Sequence, residues 1–355
     1  MRYLVTDVNG ETADLGVERG LWSRRVDGEP IDLTGLVACS GLADAHIHLS
    51  SDQPDFVPSD PERIRSRMVA ELAGGVFLCL DKGWSDSGVL AILDDPLAER
   101  PALRAAGPIV AGPGGYYPGA VDEVAPEDLV ARVASHPRTG GWLKLIGDWP
   151  RKGIGAPPSF GLEPLTAAVD AAHAAGLRVA IHTMAPETPS IAVQAGVDSI
   201  EHGLYLTDDD VRALGARAGA WVPTVRQVER VIRQVGPERT GGRMLAEGLD
   251  RVRSVAGLAA RSGVTVLAGS DFGVPQGRIG EEAVGLTEYG FGSEVAVRAV
   301  TSAAFDYVGE PYGLDQGFPA DIVAFDTNPH ESIEALVKPR FVMRRGRILV
   351  DHRES

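Results

Sequence analysis

The chain has 355 residues, 44% apolar and 23% charged, a balance that supplies a large packed core and excludes wholesale disorder. Its 34 basic and 49 acidic side chains leave a net charge of −15, which excludes nucleic acid or an anionic membrane as the main partner. Only Cys39 and Cys79 occur, too few for a disulfide framework, and no apolar run approaches the roughly 20 residues of a membrane helix. The opening MRYLVTDVNG lacks the basic-then-apolar order of a secretory signal, so a cytoplasmic protein is expected. A homo-oligomer is compatible with all of this.

In chain order, residues 1–40 carry short extended patterns such as RYLVTDV and LWSRRVDGEPIDL. Eight short apolar runs then alternate with helical patterns. The runs read as strands are Leu42–His48, Gly75–Leu80, Pro108–Ala111, Trp142–Ile146, Arg178–His182, Asp198–Glu201, Ala220–Pro223 and Val264–Ser270. Between them the spacing predicts helices over Pro61–Ala73, Pro126–His136, Leu162–Ala175, Thr188–Ala195 and Asp208–Ala216, and a long one within Gly242–Ser262. Gly176 in AAHAAGLRVAIH is expected just past a helix C-terminus.

Eight strands with helices between them, and no GxGxxG after the first, point to an α/β (β/α)8 TIM barrel over residues 41–311. From about Leu314 the text is again strand-like: ADIVAFD, then PRFVMRRGRILVD with Gly346 in a hairpin turn. Residues 1–40 and 312–355 are each too short for a core of their own. They are expected to form one composite β-sandwich beside the barrel.

Reactive groups of such barrels sit at the C-terminal ends of the strands. Strand one ends in His46-Ile47-His48, and two histidines two apart on a strand share a face, good ligands for a borderline cation such as Zn2+. Strand four contains Lys144 between Leu143 and Leu145. Desolvation there favours a neutral amine that can take up CO2 as a carbamate; the alternative is a packed stem whose ammonium reaches water. Strand five ends at His182, strand six runs into His202, and strand eight ends at Asp271, placed to ligate a cation and to act as general base. Four of the eight histidines thus fall at strand ends. Glu201, by alternation, is expected on the opposite face, either supporting a ligand from behind or as a structural group. His173 reads as packing or surface, and no role is assigned to His136, His330 or His352.

The segments GLADAHIHL, WLKLI, AHAAGLRVAIHT, AGVDSIEHG, VTVLAGSDFG and ADIVAFDTNP together resemble the metal-dependent amidohydrolase superfamily, in its imidazolonepropionase-like and Xaa-Pro-dipeptidase-like branch. The resemblance implies a barrel with a small β-sandwich and a hydrolase of amide or similar C–N or C–O bonds in a small molecule. By position it implies one cation held by His46, His48 and Asp271, a second held by His182 and His202, and carbamylated Lys144 bridging two Zn2+. Water ionised by the cations would then attack a carbonyl, with Asp271 passing the proton to the leaving group. A metal-dependent lyase or decarboxylase and a mononuclear, deaminase-like hydrolase are the alternatives.

Three segments depart from the branch: CLDKGW leaves Asp81 without the usual arginine, GGYYPG puts Tyr116 in place of a histidine, and PQGRIGEEA lacks a histidine before its glutamate. All three fall where substrate is expected. Trp84, Tyr116, Tyr117, Trp149 and Tyr205 follow strand ends although aromatics total 6% of the chain. They suggest an apolar or aromatic substrate, with Arg226 or Lys82 meeting an anionic group; the alternative is aromatic packing that closes the barrel mouth.

Overall fold

The computed structural model describes residues 2–24, 30–51 and 60–353. It opens with β1 (Arg2–Asp7), β2 (Thr12–Glu18), β3 (Leu21–Ser23) and β4 (Pro30–Cys39). A run of parallel strands follows: β5 (Leu42–Ile47), β6 (Val76–Asp81), β7 (Ala102–Ala105), β8 (Val110–Ala111), β9 (Asp122–Glu123), β10 (Trp142–Ile146), β11 (Arg178–Thr183), β12 (Ser199–His202), β13 (Ala220–Val222) and β14 (Thr265–Val266). The chain closes with β15 (Ile322–Phe325), β16 (Phe341–Arg344) and β17 (Arg347–Asp351).

The helices between the parallel strands are written into local chemistry. In α1 (Pro61–Ala73) the Asp60 carboxylate accepts from the Arg63 N–H and Pro61 opens the first turn. The next two are α2 (Leu129–Ala134) and α3 (Leu162–Ala174). Gly176, just beyond α3, takes a left-handed φ of +77°, as a C-terminal glycine does. They are followed by α4 (Thr188–Gln194) and α5 (Asp208–Ala216), the latter opened by a reciprocal Thr207–Asp210 capping box. Four helices have no counterpart in the sequence reading: α6 (Val225–Val235), and, after α7 (Thr240–Arg261), α8 (Gly280–Glu288), α9 (Ser293–Val300) and α10 (Ser302–Val308). No helix of the described residues is long and apolar enough to cross a membrane.

The parallel strands form two sheets, β5-β6-β7 and β14-β13-β12-β11-β10-β8-β9, in a TIM-barrel-like α/β arrangement. Isolated main-chain bonds cross both seams. Ala45 N–H donates to Ala268 at 2.8 Å and Asp271 N–H to His46 at 2.7 Å, and across the other seam Ala105 N–H donates to Gly140 at 3.1 Å.

The expected single ladder of eight strands is corrected at two places. Strand three is Ala102–Ala105, a half-exposed segment whose Arg104 pairs with Glu310 at 2.6 Å, and so reads as loop. The apolar Pro108–Ala111 run instead supplies β8, which occupies the edge of β10 at Leu145 and Ile146, leaving β7 only the glycines before β10. The eighth strand shrinks to two residues because, past Leu267, the ladder is diverted: Ala268 N–H donates to the Ala299 carbonyl and Ser270 N–H to the Asp44 carboxylate.

The terminal strands share one seven-stranded sheet, β17-β16-β15-β4-β1-β2-β3, rather than two separate ones. It curls until Trp22 N–H donates to Phe318 and Ala320 N–H to Gly20, at 2.8 and 2.9 Å. Alternation sorts its side chains. Tyr3, Val5, Trp22, Ile322, Phe341 and Met343 cluster on one face, while Cys39, Val323, Phe325 and Val342 join the barrel's core from the other. One enclosed face is what a sandwich achieves with two sheets.

Gly140 marks the seam between the sheets, since a Cβ there would collide with the Ala105 carbonyl that flanks it. Gly140→Ala is expected to cost about 1–3 kcal/mol through overpacking. Urea unfolding should show this as a lower midpoint at an unchanged slope.

Candidate metal centre

The strand ends of β5, β10, β11, β12 and the turn after β14 converge on one cavity of about 460 Å3. His46, His48, Lys144, His182, His202 and Asp271 all face it. Donor atoms of His46, His202 and Asp271 lie within 4.8 Å of one another. His48 Nε2 is 3.6 Å from Asp271 Oδ1 and His46 Nε2 is 4.0 Å from Asp271 Oδ2. The rings of His182 and His202 are 4.6 Å apart. The arrangement can hold a divalent cation through imidazole nitrogens and a carboxylate.

Two of the four imidazoles are fixed in tautomer by an acceptor behind them, and a third has a carboxylate beside it. His48 Nδ1 lies 2.7 Å from the Gly83 carbonyl, which can only accept. His46 Nδ1 lies 2.6 Å from the Glu201 carboxylate. His202 Nδ1 is 2.6 Å from the Thr224 hydroxyl, whose own proton is spent on the Pro223 carbonyl at 2.8 Å. His48 and His202 therefore carry the proton on Nδ1 and keep the Nε2 lone pair for the cavity. Asp81, the carboxylate left without an arginine, supports this layer: it accepts from the N–H of Leu49, next to His48, and from the N–H of Gly83, whose carbonyl meets His48.

Electrostatics keep the rings neutral. Burial drives His48 and His182 down to about 3, with Lys144 adding to it, and burial likewise holds His46 and His202 well below the ordinary histidine value. Burial lowers Lys144 to about 8, against the pull of Glu201. Its Nζ is buried with no hydrogen-bond partner. Burial also raises Asp271, with Lys144 opposing.

Glu201 corrects the alternation argument. It sits in the floor of the centre beside His46, not on the opposite face, with Lys82 Nζ at 3.1 Å and the Ser199 hydroxyl donating at 2.6 Å. The reason is that His202 adopts φ +63°, a left-handed residue that breaks the two-residue period and lets neighbours serve the same site. Thr224 and Asp271 are left-handed as well, each at φ +47°.

Of the proposed substrate contacts, Tyr116, Tyr117 and Trp149 line the cavity. Trp84 does not: it is fully buried behind His48, Phe272 and Tyr116. Tyr205 donates its hydroxyl to the Met244 carbonyl instead. Arg226 is drawn outward by Glu288 at 2.8 Å and Glu229 at 3.1 Å, and Lys82 is sealed beneath the centre against Glu201 and the Trp142 ring. The cation on the cavity wall is Arg230, one turn along α6, accompanied by Gln227 and Gln234. Neither Arg230 nor Phe272, stacked on His48 at 5.0 Å, was singled out in the sequence, although Phe272 directly follows Asp271.

Residues 37–349 match the amidohydrolase family, and the chain belongs to it. It is thereby a hydrolase acting on carbon–nitrogen bonds. An uncharacterized protein of Mycobacterium tuberculosis is 32% identical over 322 residues, covering 86% of this chain and 84% of that protein. Among solved structures, a Xaa-Pro dipeptidase with methionine bound in its active site superposes with a TM-score of 0.80 at 22% identity, covering 98% of both chains. A putative prolidase from Bifidobacterium longum gives 0.79 at 23% identity over 98% of this chain and 92% of that one. An Aspergillus niger ochratoxinase gives 0.76 at 18%, covering 99% and 95%. These likenesses establish the shared fold.

Thr224 holds His202 from behind and does not line the cavity, so Thr224→Val preserves shape while removing the acceptor. The expected result is a roughly 10–100-fold loss of divalent-cation affinity with a near-native thermal transition, measured by competition with a chromogenic chelator.

Proposed function

We propose that this chain is a metal-dependent hydrolase that cleaves an amide or similar C–N bond of a small molecule. One divalent cation would be held by His46, His48 and Asp271 and a second by His182 and His202, with Zn2+ the ion best suited to imidazole and carboxylate donors. Lys144 would bridge them as a carbamate, formed when its neutral Nζ bonds to CO2 and releases one proton. The observation that carries this reading is the orphaned Lys144 Nζ amid neutral imidazoles, with the Nε2 lone pairs of His48 and His202 kept for the cavity. A buried amine without a partner is costly, and a carbamate between two cations removes that cost.

Divalent cations bound there would lower the pKa of a water toward about 7 and polarise the scissile carbonyl. The protein's own groups do the rest. Asp271, at the strand end beside His46 and His48, would accept a proton from the attacking water and return it to the leaving nitrogen. Gly83 and Thr224 keep His48 and His202 in the ligating tautomer, and Glu201 stands beside His46. Tyr116, Tyr117, Trp149 and Phe272 exclude bulk water from one side.

The test is metal analysis with product identification. The native protein should carry close to two divalent cations and, in native mass measurement, one CO2 more than its sequence mass. Chelation should abolish amide hydrolysis, and added Zn2+ should restore it. Lys144→Ala should bind at most one cation and lose about 10³-fold or more in kcat, the scale of removing a key electrostatic stabiliser. An unmodified lysine mass with one tightly bound cation would reject the bridged centre, and CO2 release without amine formation would replace hydrolysis by decarboxylation.

A further inference from the structure

His48 and His202 each have an acceptor behind the ring, at Nδ1. His182 does not. Among the described residues the one ion-pair or hydrogen-bond partner of its ring is Asp148, whose Oδ1 lies 3.8 Å from Nε2. Both residues are buried. Asp148 stands outside the two ligand sets, yet its side chain lines the same cavity as those of Lys144 and Ile146.

The strand register separates the two nitrogens of His182. Lys144 pairs with Ala180 and Ile146 with His182, so His182 stands two residues farther along the parallel ladder than Lys144. Lys144, Ile146 and Asp148 follow one another on the inward side with a strand's period of two. His182 therefore lies between Lys144 below and Asp148 above. Its Nε2 is turned to Asp148 and the rim, and Nδ1, on the other side of the ring, faces back toward the level of Lys144. Gly147 permits this close approach. A Cβ there would meet the His182 carbonyl at 2.6 Å, whereas the Gly147 N–H donates to that carbonyl at 2.9 Å. The carboxylate is held from its far side as well, because Met184 N–H and Ala185 N–H donate to it at 3.1 Å. An ionised carboxylate has about four acceptor positions, so Oδ1 keeps room for a further donor.

Resting on the two-cation reading above, we propose that Asp148 is the positioning residue of His182. It accepts from His182 Nε2–H and so leaves the Nδ1 lone pair to the second cation, the reverse of His48 and His202. The proton of a neutral imidazole sits on the nitrogen that meets an acceptor, and the other nitrogen is left to ligate. At 3.8 Å the pair is wider than the roughly 2.7–3.2 Å of a hydrogen bond, and contacts of this kind tighten when a site is loaded. An amide cannot replace the carboxylate here. With its oxygen engaged by Met184 and Ala185 N–H, the nitrogen of an asparagine would donate to Nε2 and drive the proton to Nδ1.

Selective 15N labelling of histidine reads the tautomer in the metal-free full chain, with the His182 signals assigned by their loss in His182→Asn. The native ring should be protonated on Nε2, and Asp148→Asn should move the proton to Nδ1. Competition with a chromogenic chelator should show one of two Zn2+ bound about 10–100-fold less tightly in Asp148→Asn, with the other unchanged. A native His182 protonated on Nδ1 would overturn the assignment, and this is read even if the variant fails to fold. Unchanged affinity for both Zn2+ in a folded Asp148→Asn would do the same. Loss of one Zn2+ with the tautomer unmoved would make Asp148 a ligand in its own right, which also sinks the positioning role. Failure of the two-cation reading looks different: the native protein would bind fewer than two Zn2+ whatever the tautomer of His182, and this inference would go with it.

Discussion

A carboxylate with no solvent exposure persists in ionised form only when partners replace its water, and Glu201 is the group on which the centre is built. Lys82 compensates its charge, the Ser199 hydroxyl donates to one oxygen, and His46 Nδ1 stands against the other. This arrangement holds Glu201 below the ordinary glutamate value despite its burial, with Lys82 and Lys144 responsible. Two consequences follow. Lys82 is consumed in the floor and is withdrawn from any substrate role, and His46 has its Nδ1 against a carboxylate and its Nε2 toward Asp271. One ion pair thus decides both what the floor is made of and which nitrogen faces it.

The second constraint is backbone strain. His202, Thr224 and Asp271, from the ends of three successive strands, all sit at positive φ. Each departure costs of order 1–3 kcal/mol and survives only where surrounding bonds over-determine it. Those bonds are present. Trp221 Nε1–H donates to the His202 carbonyl at 2.8 Å, Glu282 accepts from Val225 N–H at 2.7 Å just after Thr224, and Asp271 N–H donates to His46. Left-handed turns redirect side chains that an extended strand would alternate away, and so bring His202 and Asp271 to the cavity and set Thr224 behind His202.

The neutral imidazoles and the depressed Lys144 share a cause in burial, and the polar layer behind them converts burial into direction. Asp148 illustrates the same economy: it accepts from Met184 and Ala185 N–H at 3.1 Å, fixing the loop after β11 while facing His182 at 3.8 Å.

The HxH pair, Lys144, His182, His202 and Asp271 were legible from the sequence because each lies at or beside a short apolar run whose end is a local property. The strand content of most of the barrel was legible for the same reason, as was the glycine that ends α3, Gly176. What local pattern could not decide was anything set by a partner distant in the chain. Ala102–Ala105 became strand three because β8 claims the edge of β10. Arg226 turned away because Glu288 on α8 pairs with it, leaving Arg230 on the wall. Glu201 and Thr224 acquired their roles through left-handed backbone that periodicity presumes absent. Residue types and their spacing fixed the chemistry available to this chain; long-range packing chose which nitrogen, which cation and which face would carry it, because direction is a property of contacts and not of composition.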